Sequence, residues 1–333
     1  MKTKIPNIFI SVGVLFAFTR LAGGTPQPTF ITFDVPGAFG TTPLGINQRG
    51  TITGFYLDAN FLEHGFVLAP KGSFTTFDPP GAVHGTFPSS ITPNGTITGS
   101  YNDANLLTHG FVRAPDGAFT TFDVPGAVNG TTPSGINPNG TITGRYVESF
   151  GFHGFVRAPG GAITTFDAPG ATFETSPSAI NPMGTITGSY NDASGEHGFV
   201  RAPDGTFTTF DVPNAVLGIS PTAINPNGTI TGSYFDANFL EHGFVRAPDG
   251  DITMFDVPGA VFQTSPASIN PNGTITGIQD ETHGFVRAPD GTFTTFDAPG
   301  AVMTIPSGIT PNGTIAGTYA DANFVTHGFL RTP

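Results

Sequence analysis

Seven histidines and seven aspartates recur in fixed register, and either set would carry chemistry if its members met. His-Gly-Phe occurs at His64, His109, His153, His197, His242, His283 and His327. Phe-Asp occurs at Asp34, Asp78, Asp123, Asp167, Asp211, Asp256 and Asp297, successive copies lying 44, 45, 44, 44, 45 and 41 residues apart. Zinc needs three or four ligands at one point. Seven histidines each about one repeat apart cannot converge, so the spacing predicts one hydrogen-bonded His per repeat. Each Asp is then expected to accept bonds from turn amides or from that His. The chain has no cysteine, which removes thiolate ligands, a thiol nucleophile and disulfides.

A second set of oxygen donors lies in D-A-N segments: Asp58-Asn60, Asp103-Asn105, Asp236-Asn238 and Asp321-Asn323, with Glu63 and Glu241 following two of them. Calcium takes six to eight oxygens, and one such segment offers three side chains at best. Asx turns are the expected role, with calcium as the alternative and no other cofactor implied. Asn94, Asn139, Asn227, Asn272, Asn312 and Asn129 match the Asn-Gly-Thr glycosylation pattern, but an Asn-Gly turn demands the same residues.

What every copy shares is scaffold, so a ligand site is expected where copies differ. The residues that break the repeat are His84, Arg145, Glu148, Phe150, Phe173, Glu174, Phe262 and Gln263. They are the candidate ligand-binding residues. No catalytic residue is assigned. An enzyme would have to draw on His84, Arg145, Glu148 or Glu174, since a reaction needs a unique acid, base or nucleophile in a cleft.

The elements that position these residues follow from the period. About 44 residues suits a four-stranded propeller blade or a helix pair. The 46 Gly and 31 Pro make up 77 of 333 residues and leave no long window for a helix. Thr, Ile, Val and Phe between them favour strands. Each unit holds two hairpins, on turns such as Pro138-Asn139-Gly140 and Pro115-Asp116-Gly117. The four strand positions are a (S-G-I-N), b (T-I-T-G-S-Y), c (H-G-F-V-R-A) and d (F-T-T-F-D).

The chain opens with a lone d strand, Phe30 to Asp34, and ends with a, b and c only, Pro306 to Arg331. The expectation is an all-β, seven-bladed β-propeller of four antiparallel strands per blade, with the N-terminal strand completing the last blade and removing an open edge. Small residues precede the Ile of strand a in every unit, from Gly45 to Gly308, as an innermost strand at a crowded axis requires. The d–a and b–c connections then share one face, which Phe61, Phe239 and Phe324 rim with apolar side chains.

At H-G-F, F-T-T-F-D and S-G-I-N-P-N-G-T-I-T-G the chain resembles the HAF-type extracellular repeat family over residues 30–331. Gly65 and its six equivalents stand where that family has Ala, and no Trp follows the Phe. The resemblance implies a propeller-like fold and export, as in secreted bacterial proteins, and no established activity. There is a looser likeness to WD-type propellers, in which a His, an Asp and a hydroxyl form a network in each blade. Here the hydroxyl would be the Thr of strand b.

Residues 1–24 read as a signal peptide: Lys2 and Lys4, an apolar run from Ile5 to Phe18, then Ala22, Gly23 and Gly24. The run is too short and interrupted for a membrane span, so residues 25–333 are expected to form a single secreted domain, a monomer, with no membrane insertion after cleavage. The formal net charge is −12, and losing Lys2, Lys4 and Arg20 takes it to −15, which disfavours nucleic acid. The function expected is a non-enzymatic scaffold binding a protein or polysaccharide on its loop face. The alternatives are a propeller lyase or hydrolase using off-repeat acidic or His residues, and a structural envelope or matrix protein.

Overall fold

The structure, a computed structural model, describes residues 27–149 and 151–333. The segment read as a signal peptide and Phe150 lie outside the described residues. Among the described residues the secondary structure is 28 strands. The opening strand is β1 (Thr29–Phe33). It is followed by β2 (Gly40–Ile46), β3 (Ile52–Leu57), β4 (Glu63–Leu68) and β5 (Phe74–Phe77). Next come β6 (Thr86–Ile91), β7 (Ile97–Asn102), β8 (Thr108–Arg113) and β9 (Phe119–Phe122). The third set is β10 (Thr131–Ile136), β11 (Ile142–Glu148), β12 (Gly151–Arg157) and β13 (Ile163–Phe166). The fourth is β14 (Glu174–Ile180), β15 (Ile186–Asn191), β16 (Glu196–Arg201) and β17 (Phe207–Phe210). The fifth is β18 (Gly218–Ile224), β19 (Ile230–Phe235), β20 (Glu241–Arg246) and β21 (Ile252–Phe255). The sixth is β22 (Thr264–Ile269), β23 (Ile275–Gln279), β24 (His283–Arg287) and β25 (Phe293–Phe296). The chain ends on β26 (Met303–Ile309), β27 (Ile315–Ala320) and β28 (Thr326–Thr332).

These strands form six hydrogen-bonded sheets. Five have four strands each, and one of eight strands joins β10–β13 to β14–β17 at a single parallel pair, Phe152 with Glu174. Within each set the pairing is antiparallel and follows chain order. The architecture is an all-β propeller. β1 is the exception to chain order: it pairs antiparallel with β28, from Thr29 opposite Thr332 to Phe33 opposite Gly328. The N-terminal strand therefore lies where the sequence places it. The last and first sets are neighbours, because a side chain added at Gly308 would meet Ile46 at 3.1 Å.

Strand b is buried on both faces, so it reads as near-continuous apolar and Thr. Ile97 and Thr98 are both 0% exposed, and the Thr98 hydroxyl is satisfied by donating to the Phe111 carbonyl at 2.9 Å. The same bond recurs from Thr53, Thr143, Thr187, Thr231 and Thr276. That commits the strand-b hydroxyl to a carbonyl, away from the His–Asp pair for which the sequence nominated it. In one set a hydroxyl from strand a of the following set reaches the Asp instead: Thr86 Oγ1 donates to Asp78 Oδ1 at 2.6 Å, whereas Thr41, Thr131, Thr175, Thr264 and Thr304 accept the amide of the residue after the Asp.

The phenylalanines of strand c, Phe66 and its six equivalents, are fully buried and form the layers between sets. Phe77 of β5 meets Phe111 edge-on at 6.1 Å, a favoured geometry for ring pairs. At the outer end of strand c, the Arg113 guanidinium carbon lies 5.0 Å from the Phe77 ring centre, and five further arginines repeat the contact. Strand a carries a Pro in every copy, and the ladder shifts by one residue there, as between Pro43 and Gly45. A bulge is where a strand tolerates a missing donor. The Asn closing strand a is an inter-set staple: Asn225 is buried, takes the Asn227 and Thr229 amides on Oδ1, and donates Nδ2 to the Asn270 carbonyl.

Candidate functional site

The d–a and b–c connections carry most of the large apolar side chains exposed among the described residues. Eighteen large apolar side chains are exposed among the described residues, and fourteen of them lie in those connections. Phe61, Leu106, Phe239 and Phe324 sit at the tips of b–c connections, 61%, 68%, 75% and 79% exposed. Each adopts a positive φ, between 61° and 65°, a conformation that bulky residues rarely take. The preceding Asx turn enforces it: Asp58 Oδ1 accepts the Asn60 amide at 2.7 Å and the Leu62 amide at 3.0 Å, and the Phe61 amide donates to the Asp58 carbonyl. Asp103, Asp236 and Asp321 do the same. These carboxylates are spent on their own loops. Among the described residues no three His, Cys, Asp or Glu side chains are gathered as a metal would need.

Five of the seven in-register histidines lie between two carboxylates, whereas among the described residues His153 and His283 each pair with one. His64 Nδ1 is 2.7 Å from Asp78 Oδ2, and its Nε2 is 3.7 Å from Asp58 Oδ2. His197 is tightest, with Nδ1 2.5 Å from Asp211 and Nε2 3.0 Å from Asp192. The Tyr of strand b stacks on the ring, 5.1 Å away for Tyr101 and His109. The pairing occurs in all seven copies, including His327 with Asp34 across the chain's two ends. It ties strand c to the end of strand d and is scaffold.

The residues that break the repeat fall in three separate places. Between β12 and β14 a cleft of about 310 Å³ is lined by Glu148, Phe152, His153, Asp167, Phe173 and Glu174, among others. Arg145 stands beside it. Its guanidinium lies 4.6 Å from the Phe152 ring centre, 3.4 Å from Glu174 Oε1 and 3.3 Å from Ser176 Oγ. Arg145 is 43% exposed on its side chain, so this ion pair is worth at most about 1 kcal/mol and leaves the guanidinium free to rearrange onto a ligand. Tyr146 donates its hydroxyl to Glu148 at 3.2 Å.

Phe262 and Gln263 line a second, smaller cleft of about 110 Å³, where Gln263 Nε2 donates to Glu241 Oε2 at 2.8 Å. Asp280 accepts the amides of Val261, Phe262 and Gln263 and fixes that loop. His84 is exposed in the β5–β6 connection, its amide on the Asn102 carbonyl. His84, Phe173 and Phe262 occupy one repeat position, as do Glu174 and Gln263, so each belongs to its own set and they do not meet.

Sequence reasoning missed Glu196, the first residue of β16. Much of the residue is in water, but its carboxylate end lies against Gly218. Burial of that end raises its pKa, and the negative charge of Glu174 pushes the same way, against the hydrogen bond from Ser189. The signal was the Glu at the same register in Glu63 and Glu241. At the axis, hydroxyls from Ser89, Ser134, Ser178, Thr222 and Ser307 line a cavity of about 230 Å³ to which all seven a strands contribute. Ser134 and Thr222 each donate to a carbonyl of the next set, Pro177 and Pro266.

No family model matches the chain, and no curated protein matches it in sequence. Solved structures do resemble it. A streptogramin B lyase superposes with a TM-score of 0.62 at 17% identity, covering 92% of this chain and 98% of that one. A catalytically inactive variant of virginiamycin B lyase from Staphylococcus aureus, solved with quinupristin, gives 0.62 at 14% identity over 92% of this chain and 100% of that one. The Dos1 propeller gives 0.53 at 9% identity over 88% and 78%. At such identities the likeness establishes a β-propeller and says nothing of activity.

Proposed function

We propose that this protein is a secreted, seven-bladed, non-enzymatic propeller that binds a macromolecule on the face carrying the d–a and b–c connections. The count of seven treats the eight-stranded sheet as two blades that touch at Phe152 and Glu174. The same parallel bridge recurs, isolated, at Thr108 with Gly130 and at Glu241 with Gln263. In this reading it is a contact between neighbouring blades, and β1 on β28 closes the ring. Export rests on residues 1–24 and agrees with the resemblance to HAF-type extracellular repeats.

The observation that carries the binding reading is the concentration of exposed apolar side chains on that one face, with Phe and Leu held at strained, outward loop tips. Contiguous apolar surface on a soluble protein marks an interaction site, and strain concentrates where it serves function. Phe324, Phe61 and Leu106 belong to consecutive blades once the ring is closed, and Phe39 packs on Phe61 at 4.6 Å. Val83, Leu106 and Val302 offer no flat ring for a sugar, so a protein partner fits first and a polysaccharide second. The Arg145–Glu148–Glu174 cleft would supply polar specificity.

The test is capture on immobilised residues 25–333 from envelope and culture-supernatant fractions, with a glycan array in parallel. A saturable partner is expected, lost from the double variant Phe61→Ser/Phe324→Ser at unchanged melting temperature. A partner that binds this variant as well as the native chain contradicts the reading. One observation favours a second reading, a lyase or hydrolase: Glu196, with its raised pKa, lies close enough to Glu174 to feel its charge, and such a pair suits general acid–base work. Turnover abolished by Glu196→Gln would support it.

A further inference from the structure

We propose a second binding site on the opposite, tight-turn side, at the seam between the closing sheet and the first set, which takes an apolar carboxylate such as a medium-chain fatty acid. A cavity of about 720 Å³ opens there, lined by Phe30, Phe33, Leu68, Phe74, Leu330 and Lys71, among others. Small-molecule pockets run from about 300 to 1,000 Å³, mostly apolar with a few placed polar groups. The sequence explains why this seam is open. The position after Val67 is Leu68, whereas the six equivalents are Arg113, Arg157, Arg201, Arg246, Arg287 and Arg331. Each of those arginines lies over a d-strand Phe of the preceding set, within 4.7 to 5.0 Å of its ring centre. Leu68 puts an apolar side chain where the arginine would lie: it packs with Phe33, Phe74 and Leu330, and the Phe33 and Phe74 rings are 6.2 Å apart.

The rim changes sign in the same set. Lys71 stands in the turn where other sets have Asp116, Gly160, Asp204, Asp249 and Asp290. In the adjacent turn Arg49 replaces Asn94 and its equivalents, and Gly50, the next residue, lines the cavity. Lys71 is the one lysine after Lys4 in a chain of net charge −12. The first set has thus lost the cation that would fill the groove and gained an exposed cation in its lining, Lys71, with exposed Arg49 next in the chain to the lining residue Gly50. An apolar tail fits the groove, and a carboxylate fits Lys71 at its rim. A neutral or cationic amphiphile gains nothing from the rim.

Isothermal titration of residues 25–333 with sodium decanoate, below its micelle concentration, tests the proposal. One saturable site per chain is expected. Leu68→Arg restores the residue six other sets accommodate, so it should fold, fill the groove and weaken decanoate at least tenfold. Lys71→Asp, on an exposed turn, should weaken decanoate at least threefold and leave 1-decanol binding unchanged. No saturable binding, about seven equivalent sites, decanoate affinity unchanged in Leu68→Arg, or decanoate affinity unchanged in Lys71→Asp would each overturn it. The loop-face partner is read out separately, and its capture is expected to be indifferent to both substitutions.

Discussion

His197 sits between Asp211 and Asp192, and that placement makes its own contribution to the pH response calculable in sign. Burial opposes its charge, but the bonds to Asp211 and Asp192 outweigh that and raise its pKa above the usual 6.5. A group whose folded pKa is raised contributes stability below its unfolded value, and the contribution is lost as pH rises through the folded value. Asp192 runs the other way: the Ser194 side chain and amide, with His197, hold it down to about 2. Asp58, Asp103, Asp236 and Asp321 are also lowered from 3.8, chiefly by the amides of Leu62, Leu107, Leu240 and Val325. Their stabilisation is complete above the unfolded value and lost as pH falls. Calorimetry is therefore expected to find the highest melting temperature between about pH 4 and 6.5. His197→Gln should flatten the decline above that window and leave in place the part of the acid limb that Asp58, Asp103, Asp236 and Asp321 carry. A native melting temperature still rising from pH 6.5 to 8 would contradict this assignment. The His–Asp pairing was legible because both residues keep their register. The Thr86 hydroxyl on Asp78 was not, because it arrives from the next set and no local spacing encodes it.

At the scale of the strand, glycine marks where backbones and rings crowd. A side chain on Gly99 would sit 2.2 Å from the Phe87 carbonyl oxygen, at the bulge opposite Pro88. Gly99→Ala should cost about 3 kcal/mol or more, by denaturant titration, since the a–b ladder must part to admit it. Gly160 has nothing within 4 Å and no positive φ. Gly160→Ala is expected to be neutral or to stabilise by about 0.4–1 kcal/mol. Equal effects at the two positions would refute the packing argument. The Gly of His-Gly-Phe has a similar cause: a side chain at Gly65 would meet the Phe77 ring at 2.4 Å. Strand types, turns and the small residues of strand a could be read directly, because period, Pro and Gly encode local conformation. The candidate site could be read only in part. Glu148, Phe173 and Glu174 do line one cleft, while Phe262, Gln263 and His84 lie on other sets. The seam cavity has only a loss for a sequence signal, Leu68 where six other sets carry Arg.

Over the whole molecule, the two ends of the chain share a sheet. β1 supplies the fourth strand beside β28, Asp34 supplies the partner of His327, and Phe30 packs on Phe296 and Phe329 at 6.1 Å. The β1–β28 pairing brings the last and first sets together at the seam where Leu68 stands, and in the proposed ring Phe324, Phe61 and Leu106 belong to consecutive blades. A partner engaging the loop-bearing face as a unit should bind at one per chain in a titration, and about seven per chain would place binding on the repeated scaffold instead. The chain has no cysteine, so closure can be tested without background by pairing Thr29→Cys with Thr332→Cys, which face each other at the end of the β1–β28 ladder. The account predicts an intramolecular disulfide under mild oxidation, in monomeric protein, stabilising the fold by about 2–4 kcal/mol. Cysteines that stay free, or that cross-link only between chains, would contradict it.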